Sequence, residues 1–179
     1  MKASDQSLES SLRAVITTIP DFPKPGVMFK DIMPVLRNPK LLKQVIAELS
    51  RQCETVGATH IAALESRGFL FGAPVANLLE LPFIPIRKPG KLPGKVIEVA
   101  YELEYGSGKL QIQSDVIPRA AKVVIIDDLL ATGGTAYGAA TLIKKAGAQV
   151  LGILCVIELS ELGGRQQIKE EQVSSIIRY

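Results

Sequence analysis

Lys122-Val-Val-Ile-Ile-Asp-Asp-Leu-Leu-Ala-Thr-Gly-Gly-Thr135 is the stretch that decides how this chain folds. Val123 to Ile126 are four consecutive β-branched residues, which reads as a strand buried on both faces, as in a parallel sheet. Asp127 and Asp128 follow at once, at the carboxyl end of that strand, which in an open α/β sheet is the ligand-binding edge. Thr132-Gly133-Gly134-Thr135 then supplies small residues that turn tightly and leave backbone N–H groups uncovered. A helical pattern begins next, and a helix N-terminus with free amides is an anion site suited to phosphate.

Acceptors for hydroxyl groups therefore stand beside donors for phosphate oxygens, and a ribose 5-phosphate offers both partners. No Gly-Lys-Ser/Thr follows the glycines, so this is not a Walker loop, and the spaced G-x-G-x-x-G of dinucleotide folds is absent. The apolar strand, Asp127-Asp128 and Ala131 to Thr135 resemble the phosphoribosyl-pyrophosphate (PRPP) motif of type I phosphoribosyltransferases. That resemblance implies that Asp127 and Asp128 hold the ribose 2- and 3-hydroxyls. It also implies that Ala131, Thr132, Gly133, Gly134 and Thr135 cradle the 5-phosphate.

A chain of 179 residues is expected to form one domain, 1–179, around a sizeable core. Its 47% apolar and 22% charged content is that of a globular protein. A net charge of +3 is too small to argue for nucleic acid and suits a polyanionic small substrate. Cys53 and Cys155 lack metal-ligand spacing, which points to a reduced, cytoplasmic setting. With no membrane-length apolar run and a polar start, neither secretion nor anchoring is expected.

In chain order, Leu8, Leu12, Val15, Ile16 and Ile19 predict an amphipathic helix from about Ser4 to Thr18, ended by Pro20. Pro20 to Ile32 reads as a proline-stiffened loop, whose aromatic can wall a flat ligand. Asn38-Pro39 starts a packing helix running to about Glu54. His60 to Leu64 predicts a strand, then the turn Glu65-Ser66-Arg67-Gly68, then a helix over about Phe71 to Leu79: a second anion-ready junction. The lone His60 has no motif partner and reads as structural. Leu81 to Arg87 predicts another strand. Residues 89–108 carry glycines at both ends of an alternating segment and read as a flexible β flap, after which Leu110 to Gln113 returns the chain to the sheet. Ala136 to Ala146 predicts a helix and Val150 to Ile157 a buried strand. A turn at Gly163-Gly164, then a short helix and a final strand within Ile168 to Tyr179, finish the chain. The alternation predicts an α/β fold whose central, mostly parallel sheet is flanked by helices, with the charged clusters on one edge.

Four further segments narrow the resemblance to the adenine-using members of the type I family: Asp21 to Ile32, Ser66 to Gly72, Ile86 to Gly94 and Leu103 to Gly106. It runs from about Ile19 to the C-terminus. The fold so implied is the type I phosphoribosyltransferase fold, with a small hood built largely from residues 1–35. The implied reaction moves ribose 5-phosphate from PRPP to adenine N9, giving AMP and pyrophosphate. Mg²⁺ is implied as cofactor, held mainly by substrate oxygens rather than a protein metal site.

By the same resemblance, Phe29 stacks on the purine with Leu129 on its other face, and the backbone of Met28 and Lys30 reads the adenine edge. Glu65, Ser66, Arg67 and Gly68 form the pyrophosphate loop with Arg67 as its cation, and Arg87, Lys88 and Lys91 add positive charge. Glu104 and Tyr105 lie on the flap, where the glutamate is given proton transfer on the purine. Glu65, Lys30 and Met28 replace residues commoner in the family, aspartate, arginine and a smaller aliphatic, without removing a reacting group. The expected partners are small molecules and a second copy of the chain in a homodimer, with no nucleic acid and no membrane. Two alternatives stay open: a phosphoribosyltransferase for a 6-oxopurine, and a non-enzymatic PRPP-sensing regulator.

Overall fold

In the computed structural model, residues 3–102 and 106–179 are described, with side chains from residue 8 onward. They divide into two compact units, Met1–Glu48 and Leu49–Tyr179.

In the first unit, α1 (Ala3–Val15) is shorter than the apolar spacing suggests. Thr17–Ile19 is instead a short strand, β1, paired antiparallel with β2 (Phe29–Asp31). The proline loop was expected to lack regular structure throughout. Its prolines end at Pro25, however, so the amides of residues 29–31 stay free to pair with β1. Inside the loop, Asp21 Oδ1 accepts the Gly26 N–H at 2.8 Å. The four-residue helix α2 (Met33–Leu36) follows, then α3 (Pro39–Val56), which begins in this unit and ends in the second. As expected, Asn38 caps α3, its Oδ1 accepting the Leu41 N–H at 3.2 Å.

The second unit is built on a five-stranded, all-parallel sheet. Its strands are β3 (His60–Leu64), β4 (Phe83–Ile86), β7 (Lys122–Leu130), β8 (Gln149–Glu158) and β9 (Val173–Arg178), in the order β4-β3-β7-β8-β9. Helices α4 (Phe69–Leu78) and α5 (Gly134–Lys145) supply the crossovers β3-α4-β4 and β7-α5-β8. Val123 to Ile126 are wholly buried, as a run of β-branched residues in a doubly covered sheet must be. The strand continues through both aspartates to Leu130, so the acid pair lies toward its carboxyl end, as expected.

Strands β5 (Val96–Glu102) and β6 (Ser107–Gln113) form a separate antiparallel hairpin. The second of them was expected to rejoin the main sheet. Among the described residues its backbone pairs with the main-sheet side at one bridge, between Arg87 and Gln111, and its other edge is taken by β5. Val99, Tyr101, Leu110 and Ile112 are buried in the same core as α5 and the sheet, so the body of the hairpin is packed. Tyr101 explains two glycines here: a Cβ on Gly108 of β6 or on Gly138 of α5 would press into its ring. Near the C-terminus the short helix, α6 (Gly164–Gln167), precedes Ile168 and does not follow it.

Candidate active site

The connections leave β3 in one direction, toward β4, and leave β7 in the other, toward β8 and β9. Between two such neighbours the loops part and open a crevice beyond the strand ends, which is where open α/β sheets bind ligands. The switch lies between β3 and β7, and the two turns singled out from sequence follow those two strands.

A cleft of about 410 Å³ opens there, lined by Glu65, Ser66, Arg67, Lys88 and the run Asp127 to Ala136, with Cys155 beneath. The acid pair, the small-residue loop and three of the four residues of the Glu65–Gly68 turn thus share one cavity. Gly133 is left-handed (φ 88°) at the start of α5, with no side chain capping that end, so the amides beyond it stay available for an anion.

Asp128 is buried, and Arg67 Nε lies 2.9 Å from its Oδ2. Asp127, partly open to the cleft, accepts the Asp128 N–H on Oδ1 at 2.9 Å. Burial raises both carboxyls, and the adjacent Asp128 charge raises Asp127 further, well above the usual carboxylate range. The Arg67 guanidinium opposes the rise at Asp128. The cleft floor is therefore an acid pair held against its ionisation preference, with hydroxyl donors from a sugar its natural complement.

Gly68 lines no part of the cleft, yet its lack of a side chain shapes it. A Cβ there would lie 2.6 Å from the Leu64 carbonyl oxygen and 2.9 Å from both the Ile126 carbonyl oxygen and Asp127 Oδ1. The Glu65 turn can approach β7 only through glycine. The Glu65–Ser66 peptide in that turn is cis.

Arg87 and Lys91 are also outside the cleft lining, whereas Lys88 is part of it. Arg87 donates from Nε to Glu65 Oε2 at 2.6 Å and from Nη1 to the Lys91 carbonyl at 2.9 Å. It joins the Glu65–Gly68 turn to the segment after β4. Glu104 and Tyr105 lie outside the described residues.

Met28, Phe29 and Lys30 belong to the first unit. Phe29 meets Phe22 edge-on, with ring centroids 5.0 Å apart, Met28 is 56% exposed, and Lys30 Nζ donates to Thr18 Oγ1 at 2.8 Å. Leu129 lines the cleft of the second unit. Sequence reasoning did not single out Phe22, and it gave Cys155 no place at the cleft. Pairing of Cys155 opposite Asp127 on β8 is what brings it under the cleft, a register no local pattern reveals.

The phosphoribosyl transferase domain family matches residues 35–177. The chain belongs to that family. An adenine phosphoribosyltransferase of a Synechococcus species is 47% identical over 169 residues, which cover 94% of this chain and 98% of the relative. The crystal structure of the enzyme of that name from Thermoanaerobacter pseudethanolicus superposes with a TM-score of 0.92 at 45% identity, covering 95% of this chain and 99% of that one. The Saccharomyces cerevisiae enzyme, complexed with an imino-altritol bisphosphate and adenine, gives a TM-score of 0.89 at 38% identity over 96% and 99% of the two chains. Within the family, this chain takes its place among the adenine phosphoribosyltransferases.

Proposed function

We propose that the chain transfers the 5-phosphoribosyl group of PRPP to N9 of adenine, giving AMP and pyrophosphate, as a step of purine salvage. The observation that carries this reading is the meeting of the acid pair, the uncapped start of α5 and the cations Arg67 and Lys88 in one cleft at the β3/β7 switch.

Asp127 and Asp128 accept hydrogen bonds from the ribose 2- and 3-hydroxyls, and residues 131–135 hold the 5-phosphate. With both ends of the sugar fixed, C1 faces the purine and the Glu65–Gly68 turn faces the leaving group. As the C1–O bond to pyrophosphate breaks, its electron pair leaves with the pyrophosphate, and positive charge builds on the sugar. Arg67 and Lys88 stabilise the departing anion, while Arg87 acts on it through the turn that it braces. N9 of adenine bonds to C1, and the proton the base gives up passes to Glu104, the role that the family resemblance implies for it. The family resemblance assigns Phe29, Leu129 and the backbone of Met28 and Lys30 to recognition of the base.

The oxygen-only donors of Asp127 and Asp128 fit Mg²⁺, which favours oxygen and keeps water and substrate ligands. On this reading PRPP supplies most of its oxygens, since Mg²⁺ needs few ligands from the protein. Bound there, Mg²⁺ would add charge stabilisation at the pyrophosphate. A homodimer and a cytoplasmic location belong to this reading through the family resemblance. Among the described residues no helix is long and apolar enough to cross a membrane.

Glu158, at the end of β8, is 5% exposed and taken by Arg165 and Ser175, so it is not offered to a base. Incubation of the protein with PRPP, Mg²⁺ and each purine in turn tests the assignment. AMP from adenine, at a rate exceeding that with hypoxanthine or xanthine, is expected. Faster turnover of a 6-oxopurine would overturn the base assignment, and no product with any purine would overturn the activity.

A further inference from the structure

The phosphate loop does not stand alone. Its back rests on the start of α6, backbone against backbone. A Cβ on Gly133 would run into the Gly164 carbonyl oxygen and lie 3.1 Å from Gln167 Cβ. A Cβ on Gly164 would run into the Ala131 carbonyl oxygen and lie 2.9 Å from Leu130 Cγ. Each glycine is thus needed by the other strand of chain, and the atoms they meet are mostly backbone, which cannot swing aside.

A helix of four residues has too few internal bonds to hold its own place. Arg165, the next residue, does this from outside. Its Nε donates to Glu158 Oε1 at 2.5 Å and its Nη2 to Glu158 Oε2 at 2.7 Å, a two-pronged grip with a fixed direction. Its Nη1 donates to the Val173 carbonyl at 2.5 Å, which adds β9 to the same support. Ser175 Oγ donates to Glu158 Oε2 at 2.5 Å, and Arg178 Nε lies 3.2 Å from that oxygen. The Arg165 hydrogen bonds, with help from Ser175 and Arg178, keep the Glu158 carboxyl below its ordinary range despite its burial.

We propose that Gly164 and the Glu158–Arg165 pair are positioning residues for the 5-phosphate loop, fixing the direction in which the amides of residues 131–135 point. This rests on the assignment of that loop to the PRPP phosphate. A binding loop must be held to about 0.5 Å for its donors to meet a phosphate, and a methyl forced between Gly164 and Ala131 displaces the loop by more than that. Met28, Phe29 and Lys30 lie in a distant stretch of chain, and the added methyl meets Leu130 and Ala131 rather than Leu129, so its effect falls chiefly on PRPP.

The test is steady-state kinetics with both substrates varied, beside thermal melts, for Gly164→Ala, Arg165→Met and Arg165→Lys. Gly152→Ala is the control. Its added methyl would lie 3.2 Å from the Gln172 carbonyl, in the β8–β9 layer but away from the loop. Gly164→Ala is expected to raise KM for PRPP tenfold or more while KM for adenine stays within twofold. Arg165→Met should do the same to a smaller degree, Arg165→Lys should recover part of the loss, and Gly152→Ala should leave KM for PRPP within twofold. If Gly164→Ala does not fold, the two Arg165 variants decide the matter. An unchanged KM for PRPP in the folded variants, a parallel rise for both substrates, or an equal rise in Gly152→Ala would overturn the proposal. A wild-type protein that makes no AMP overturns the parent reading and this one with it; an active wild type with unaffected variants overturns this one alone.

Discussion

Replacing Arg67 with alanine leaves the buried Asp128 carboxylate without the guanidinium that lies 2.9 Å from it. Removing one partner of a buried ion pair costs about 3–5 kcal/mol. Here the arginine side chain is 34% exposed and the aspartate 4%, so water entering the vacated space recovers part of that, and about 2–3 kcal/mol remains. For a domain of this size the melting midpoint should fall by roughly 4–12 °C at pH 8.

The loss depends on pH with a definite sign. Burial already raises the Asp128 carboxyl against the pull of Arg67, and without that pull it rises further. A raised folded-state value means that its contribution is intact below the unfolded carboxylate value and is lost as pH climbs through the folded one. The Arg67→Ala deficit should therefore be small near the usual aspartate value and full at neutral to alkaline pH. The double variant Arg67→Ala/Asp128→Asn removes the stranded charge and should regain most of the midpoint, though neither variant should make AMP. Melting curves across that pH range decide it. A deficit that does not shrink in acid, or is not relieved by Asp128→Asn, would refute the electrostatic account, and retained AMP formation would refute the site.

Asp127→Asn should melt higher than wild type at pH 8 and lose AMP formation, because a carboxyl held well above its usual range opposes folding once ionised; melts at stepped pH should show the gain closing toward the usual aspartate value, and a gain independent of pH would count against it. Gly68→Ala should lose about 1–3 kcal/mol, the range for forcing an extra methyl into a packed site, since the oxygens it would meet belong mostly to backbone. Denaturant unfolding measures that loss, and a neutral result would show that the turn can move away from β7.

The central sheet was legible because its signals are local: four β-branched residues before two acids, and short strands alternating with helices. The candidate cleft was legible for the same reason, as the two turns that line it are marked directly after strands. What escaped depends on partners distant in sequence. Thr17 to Ile19 extends a helical pattern, and only pairing with Phe29 to Asp31 makes it a strand. β6 alternates like a sheet member, and the choice of β5 as its partner is tertiary. The grip of Arg87 on Glu65 joins residues 22 positions apart, so a cation that looked free for pyrophosphate turns out to brace the turn.

The two halves of the cleft are carried by β3 and β7, whose pairing joins His60 to Val123 across a chain separation shared by the neighbouring Thr59–Lys122 bond, 63 positions. So distant a pairing is among the slower contacts a chain can make. A ribosome-bound chain released only as far as β4 owns one rim of the crevice and no floor. On the proposed function, the cleft for the sugar phosphate is complete only when the middle of the sheet closes, and from then on a ligand bound there would favour the finished molecule over every fragment of it.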